Sequence, residues 1–405
     1  MTGHFFSRAF RYVWRRVRPA LPDRPKPVLG LGTPPPEGHL KADGPPKRAL
    51  VSYITEPFTL APGDWRNNLF SNIGIGRGIV RALNELGYVV DLVQYSDTQF
   101  VPQKPYDLFL GHGGTNFERL DRALPKDVVR IYFSTGIYWK EGHTRNEQRF
   151  EDLEKRRGVR LPRERQVTAD EEYANRAADG IICLGSHLAK ESYRGFPLVI
   201  NLNNAAYFDD HCERPGKDFA AAREKFLFFS GPGNVHKGLD LLLEAFSRLD
   251  AALYVCQEIE REFRKVYRRE LETLPNIRCI GQVPLKGDRF YRLVDECAFV
   301  IHPTCAEGQP GSLIECMWQG LIPVASRQVN MDMDDFGITL KDCSVDEIVA
   351  VVTDLRRRPP EWCAEMSRRA RRAAVADYSE EGFLRNMKSA VRTIILHKSE
   401  GVSRT

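Results

Sequence analysis

The chain has 405 residues, 42% of them hydrophobic and 28% charged, and a formal net charge of +5. That length exceeds what one ordinary core spans, so two domains of roughly 150–200 residues are expected. The charge is too mild for a nucleic-acid binder, and no window approaches the roughly 18 apolar residues that a membrane span needs. Nine scattered cysteines without a CxxC pair read as small core residues in a reducing compartment, not as a disulfide framework or a zinc site. The N-terminus also lacks the apolar stretch of a secretory signal.

Seven Arg or Lys residues face one acid, Asp23, in the first 26 residues. On a helical wheel Phe6, Phe10, Val13, Trp14, Val17 and Leu21 share one side, with Arg8, Arg11, Arg15 and Arg18 opposite. This pattern predicts a helix lying in an anionic membrane surface through residues 5–21. Docking on the protein's own body or on a second subunit, or a mitochondrial-type presequence, would use the same pattern. Residues 19–46 hold nine prolines and four glycines, which read as a strap unable to keep a helix or strand for long.

From residue 48 the chain turns regular. RALVSYIT (48–55), YVVDLVQ (88–94), YDLFLGH (106–112), VVRIYFS (128–134) and GIICLGS (180–186) read as strands. IVRALNELG (79–87), EQRFEDLEKRRG (147–158) and EEYANRAAD (171–179) read as helices between them, the first ending at Gly87. A polar junction at 201–224 precedes a second alternation. Its strands are KFLFFSG (225–231), AALYVCQ (251–257), NIRCIGQ (276–282), CAFVIHP (297–303) and IPVAS (322–326), with a helix at 237–249. Short apolar strands alternating with helices predict two doubly wound α/β domains with ligands beyond the C-terminal strand ends. A last helix is expected at 380–397.

Three loops carry chemistry. SNIGIGRGIVRAL (71–83) places Gly74, Gly76 and Gly78 between a strand and its helix, where a phosphate or sugar could approach closely. SGPGNVHKGLDLLLEAF (230–246) is not a P-loop, because Gly follows its lysine, but Lys237 at a helix start suits a diphosphate. HPTCAEGQPGSLIECMWQGLIPVAS (302–326) turns through Glu307, Gly308, Gln309, Pro310 and Gly311 into a helix beginning near Ser312. The amides of 309–313 would face an anion, and Glu307 and Glu315 could each fasten a sugar diol. Two nearby carboxylates also fit a metal site or a glycosidase pair, although Glu315 sits inside a helix and not across a scissile bond.

Taken together, these segments resemble a retaining, family-4-type glycosyltransferase of the GT-B fold. The spacing of Glu307 and Glu315 is similar to that family's E-x7-E motif, and HKGLDLLLEAF (236–246) resembles its phosphate-binding helix. Asn203-Asn204 with Phe208, and DYSEEGF (377–383), resemble its interdomain stretch and returning helix. The resemblance implies two facing Rossmann-like domains with a cleft between them. It divides the chain into a basic helix (1–26), a linker (27–47), an acceptor domain (48–205), a nucleotide-sugar domain (206–375) and a helix returning to the first domain (376–405).

The implied donor contacts are Glu307 on sugar hydroxyls, Glu315 on ribose and Lys237 on the diphosphate. Gly308, Gln309, Gly311, Ser312 and Leu313 would lie around them, with Gly74 and Gly76 reaching in from the first domain. Neither a metal nor another cofactor is implied. Two departures stand out: Pro232 occupies the place of a usual arginine, and Ser134 or Thr135 that of a usual histidine. His112 and His143 are near enough in sequence to cover the second, so Ser134 and His112 join the candidate catalytic residues.

The expected activity is transfer from a nucleotide-sugar to a glycan or lipid-linked acceptor in cell-envelope polysaccharide or glycolipid synthesis. Its expected place is the cytoplasmic face of the membrane, held peripherally. The alternatives are a catalytically silent nucleotide-sugar-binding protein with a docking helix, and a sugar epimerase, against which the HKGLD segment argues.

Overall fold

Apolar, β-branched and aromatic runs of three to seven residues become strands, and the central ones are buried on both faces. The computed structural model describes residues 26–32, 46–61, 63–68, 72–165, 171–206 and 216–402. The expected basic helix lies outside the described residues except for Lys26, as do most of the strap and Phe208. Among the described residues no helix is long and apolar enough to cross a membrane.

The first sheet contains β1 (Val28–Leu31), β2 (Lys47–Tyr53), β3 (Tyr88–Gln94), β4 (Leu108–Gly111), β5 (Val129–Ser134), β6 (Gly180–Leu184) and β7 (Val199–Leu202). Its order is β1-β3-β2-β4-β5-β6-β7, parallel except for β1 against β3. β1 departs from the expectation for the strap. Between prolines the chain has one apolar island, VLGL, and an edge strand needs a ladder on one side only. The Gly30 N–H also donates to Asp91 Oδ1 at 2.8 Å.

The second sheet holds β8 (Lys225–Phe229), β9 (Ala252–Cys256), β10 (Ile277–Cys279), β11 (Phe299–His302), β12 (Ile322–Ser326) and β13 (Ile338–Leu340). It is parallel throughout, in the order β10-β9-β8-β11-β12-β13. The expectation of an α/β chain with two doubly wound sheets therefore holds. Strand order reverses between β8 and β11, so the loops leaving those two strands part on opposite faces and open a crevice.

Six helices flank that crevice or tie the two sheets' cores together: α1 (Asn72–Glu85), α2 (Trp139–Arg157), α3 (Leu239–Phe246), α4 (Gly311–Trp318), α5 (Pro360–Asp377) and α6 (Glu380–Val402). α6 lays Phe383, Leu384, Met387, Ala390, Val391 and Ile394 on the first sheet, beside Ile79 and Leu83 of α1. α5 sends Ala370 and Ala374 into the core of the second sheet.

α2 runs eight residues ahead of the predicted start at 147 and does not stay a surface helix. Phe150 and Leu153, with Leu161 beyond the helix, join the core of the second sheet next to Leu239, Leu242 and Leu243. Each such side chain contributes about 1.5–3 kcal/mol by burial. Arg156 donates to Asp240 at 2.5 Å and to Glu244 at 3.1 Å, and Arg157 to Glu244 at 3.2 Å and Glu270 at 2.6 Å. The first half of the chain thus places a helix on the second sheet's domain.

Candidate active site

The site gathers at the crevice beyond β8 and β11. After β8 the chain turns through Gly233, with φ +104, and Gly238, with φ +82, before α3 begins. At Gly238 a Cβ would lie 2.3 Å from the Pro303 carbonyl oxygen, so only glycine lets the exit of β11 rest on the start of α3. Cys305 N–H and the Thr304 hydroxyl both donate to the His236 carbonyl, at 3.0 and 3.1 Å. This close seam sets Glu307 against Lys237.

Lys237 Nζ forms an ion pair with Glu307 Oε1, with side chains only 7% and 10% exposed. His236 joins them, its Nε2 lying 3.2 Å from the same oxygen. His236 Nε2 also faces the Ala306 carbonyl at 2.7 Å, and its Nδ1 faces Asn146 Oδ1 at 3.1 Å. Asn146 donates its amide to the Glu164 carbonyl at 2.7 Å, so its oxygen is the acceptor. Both ring nitrogens of His236 therefore face acceptors, the arrangement of an imidazolium.

Burial opposes every charge here, and the neighbours decide the outcome. Burial works to raise the Glu307 carboxyl, but Lys237, then Arg165 and His236, hold it well below the usual carboxylate range. Burial works to lower His236, and Cys305 and Glu307 outweigh it, so the ring is raised. Burial lowers Lys237 despite the attraction of Glu307. Ionised Glu307 thus stands between Lys237 and His236, with the Cys305 sulfur 3.5 Å from the far side of the imidazole.

The other expected donor contacts divide. Gly308 sits where the two halves touch: a Cβ there would lie 2.4 Å from the Thr135 carbonyl oxygen and 3.0 Å from that of Leu184. Gln309 is committed to the junction. Its Oε1 accepts from Asn204 N–H at 2.7 Å, and its Nε2 donates to Asn203 Oδ1 at 2.9 Å and the Asn330 carbonyl at 3.0 Å. Its side chain is therefore a bracket between the junction and the Glu307 loop.

Gly311 opens α4 with Ser312 half-buried behind it. The Leu313 amide, expected to face an anion, instead donates to Pro310 O at 3.0 Å because it closes the first turn. Glu315 lies on α4 and is buried.

In the first domain the correction is larger. Gly74 and Gly76 are buried inside α1, not in a loop before it. A Cβ on Gly76 would stand 3.1 Å from Pro57 Cγ, so this glycine serves helix packing. Ser134 ends β5 and is buried, accepting from the Tyr193 hydroxyl at 2.6 Å and donating to the Gly136 carbonyl at 3.1 Å. His112 follows β4, donating from Nδ1 to the Phe133 carbonyl at 2.9 Å. Burial lowers its pKa, so it is neutral near pH 7 with Nε2 as acceptor. His143 lies on α2 against the Trp139 ring.

Among the described residues no group of three or more His, Cys, Asp or Glu side chains is arranged to hold a metal ion. Sequence reasoning missed His236, although it stands beside Lys237, and missed Asn146, which is 90 residues away from it.

The second domain's sequence and the fold both resemble known proteins. Residues 223–357, about a third of the chain and the part containing Lys237, Glu307 and Glu315, match the family described as Glycosyl transferases group 1. Sucrose-phosphate synthase from Thermosynechococcus elongatus is similar at 14% identity and TM-score 0.60, over 87% of this chain and 100% of that one. HepE of Anabaena, solved with UDP and glucose, is similar at 13% identity and TM-score 0.56, over 86% and 99%. S. aureus TarM, solved as a mutant with Fondaparinux, alpha-GlcNAc-glycerol and UDP, is similar at 14% and TM-score 0.52, over 70% of this chain. This chain spans about half the length of TarM. No curated protein sequence matches. The resemblance to group 1 glycosyltransferases of the GT-B fold is thereby shown.

Proposed function

We propose that this chain, whose second domain matches glycosyl transferases group 1 on a GT-B frame, moves a sugar from a nucleotide-sugar donor to a glycan or lipid-linked acceptor with retention. The observation that carries the reading is the cationic cluster at the β8/β11 crevice, where Lys237 and His236 share the single carboxylate of Glu307. A buried lysine that an incoming anion can draw away from its carboxylate, set where strand order reverses, suits a diphosphate.

In this reading the donor diphosphate competes with Glu307 for Lys237. Freed from its ion pair, the Glu307 carboxylate accepts hydrogen bonds from donor sugar hydroxyls. The bond between the anomeric carbon and the phosphate oxygen breaks, and its electron pair leaves with the diphosphate, which Lys237 and His236 stabilise as charge develops. The acceptor oxygen bonds to the same face of the anomeric carbon, and its proton passes to the departing phosphate oxygen. Glu315 on ribose, with Gly308, Gly311 and Ser312 near the phosphates, completes the proposed donor contacts. The chemistry asks for no metal or other cofactor.

Membrane-surface attachment through residues 5–21, a cytoplasmic setting and an envelope acceptor remain part of the proposal. They rest on the arginine-rich amphipathic pattern.

The test is release of nucleoside diphosphate from a panel of nucleotide-sugars by the full chain, with Lys237→Ala and Glu307→Gln beside it. Turnover by the parent and its loss in both variants is expected. Turnover undiminished in Lys237→Ala would overturn the site. A second reading, donor binding without transfer, draws on the near-complete burial of Lys237 and Glu307; nucleotide binding with no release from any donor would select it.

A further inference from the structure

We infer that Arg165, brought across from the first half of the chain, is the guanidinium that grips the donor diphosphate opposite Lys237. The inference rests on the proposed donor site and adds a residue to it.

Arg165 lies on the stretch that leaves α2 and meets the loop between β8 and α3 at Gly233. A Cβ on Gly233 would stand 2.7 Å from Arg165 Cδ and 3.1 Å from Cγ, so the arginine stem occupies the notch that this glycine leaves open. Arg165 itself has φ +51, a left-handed conformation uncommon outside glycine, and such a conformation persists where the surroundings enforce it.

The enforcing contacts are next door. The Glu164 carbonyl accepts from the Asn146 amide at 2.7 Å, and Asn146 Oδ1 meets His236 Nδ1 at 3.1 Å. Asn146 thus ties the stretch of chain carrying Arg165 to the residue before Lys237.

Charge points the same way. The segment 230–236 contains no Lys or Arg, and Lys237 and His236 already share Glu307. Arg165 is exposed, and among the described residues no carboxylate lies within ion-pair distance of it. Its positive charge nevertheless acts on Glu307, Lys237 and His236 together. A guanidinium on a stem seated at Gly233, its charge felt by the buried lysine, matches the two-oxygen geometry of a phosphate, which a lysine alone meets only as a point charge.

The experiment measures calorimetric affinity of the full chain for UDP, GDP and ADP and for the matching monophosphates and nucleosides. It does so for the parent, Arg165→Asn and Arg165→Lys. Asparagine tolerates the left-handed conformation, so the variant loses the charge while the backbone keeps its path; thermal melts check that it folds.

For whichever base the parent binds, Arg165→Asn is expected to weaken the diphosphate by about ten- to a hundredfold, the range of a charge-assisted hydrogen bond. The nucleoside should change little, and Arg165→Lys should recover part of the loss. Diphosphate affinity that is unchanged, raised, or lowered equally for nucleoside and diphosphate would overturn the assignment. No binding of any diphosphate by the parent would instead overturn the donor-site reading itself, and this inference with it.

Discussion

The crevice of the second sheet and the strand ends of the first are built on the same architecture, yet they hold their polar residues differently. Beyond β8 and β11, Lys237 and His236 share one carboxylate, an ion pair that a competing anion can open. Beyond β4 and β5, His112 is tied to the Phe133 carbonyl, and Ser134 to Tyr193 and Gly136. There the polar groups satisfy one another. A ligand site is marked by a buried ion pair that a ligand can exchange, and a structural one by hydrogen bonds already closed.

The sharpest way to break this contrast is to remove Lys237. Lys237→Ala leaves Glu307 buried without its ion-pair partner, with His236 and the charge of Arg165 remaining, which should cost about 3 kcal/mol of stability as well as donor turnover. Urea midpoints and diphosphate release measure the two effects. A variant that unfolds like the parent would show that the pair is not a strained centre.

α2 supplies a second test, because it is contributed by the first half of the chain and packs with the second. Leu153→Ala should destabilise by about 2–5 kcal/mol, the usual cost of a core cavity. Proteolysis should find the loss in the second domain as well as the first. Cleavage sites confined to the first domain would contradict the shared core.

His302 at the end of β11 offers a pH test. It is fully buried, donates from Nε2 to the Phe229 carbonyl at 2.8 Å, and burial together with Lys237 lowers its pKa to about 4. Between its unfolded value near 6.5 and about 4, the unfolded chain binds more protons than the folded one. Stability should therefore be lost as the pH is lowered across that window, by roughly 3 kcal/mol in all. Denaturant titrations at pH 7, 5.5 and 4.5 follow it; His302→Gln should flatten the slope, and an equal slope in the variant would assign the effect elsewhere.

The smallest effect belongs to Ser134. Ser134→Ala removes one acceptor for Tyr193 and should cost about 1 kcal/mol, with transfer changing less than about threefold. A far larger loss of transfer with unchanged stability would return Ser134 to the chemistry and erase the contrast between the two sheets.

The second-domain site was legible because its residues lie in two short segments whose local chemistry is self-explanatory. A lysine at a helix start, and glutamates around a glycine turn, announce a polar ligand wherever they occur. The first domain was harder. Gly74 and Gly76 read as a loop because GxGxG lowers helix propensity, but packing against Pro57 and Tyr53 made a helix there favourable. Gln309 read as a donor contact because it sits in the right turn. Only the folded junction revealed that Asn203, Asn204 and Asn330 use its amide.

By itself the sequence determined the alternation of strands and helices, the two sheets, and the loops after strands that carry Lys237 and Glu307, because periodicity and glycine placement are local properties. Tertiary structure alone decided that α2 joins the second domain's core, that His236 is held between acceptors, and that Arg165 rests in the notch of Gly233. Each of these joins residues dozens of positions apart, and only the packing of one domain on the other brings such groups within reach of a single charge.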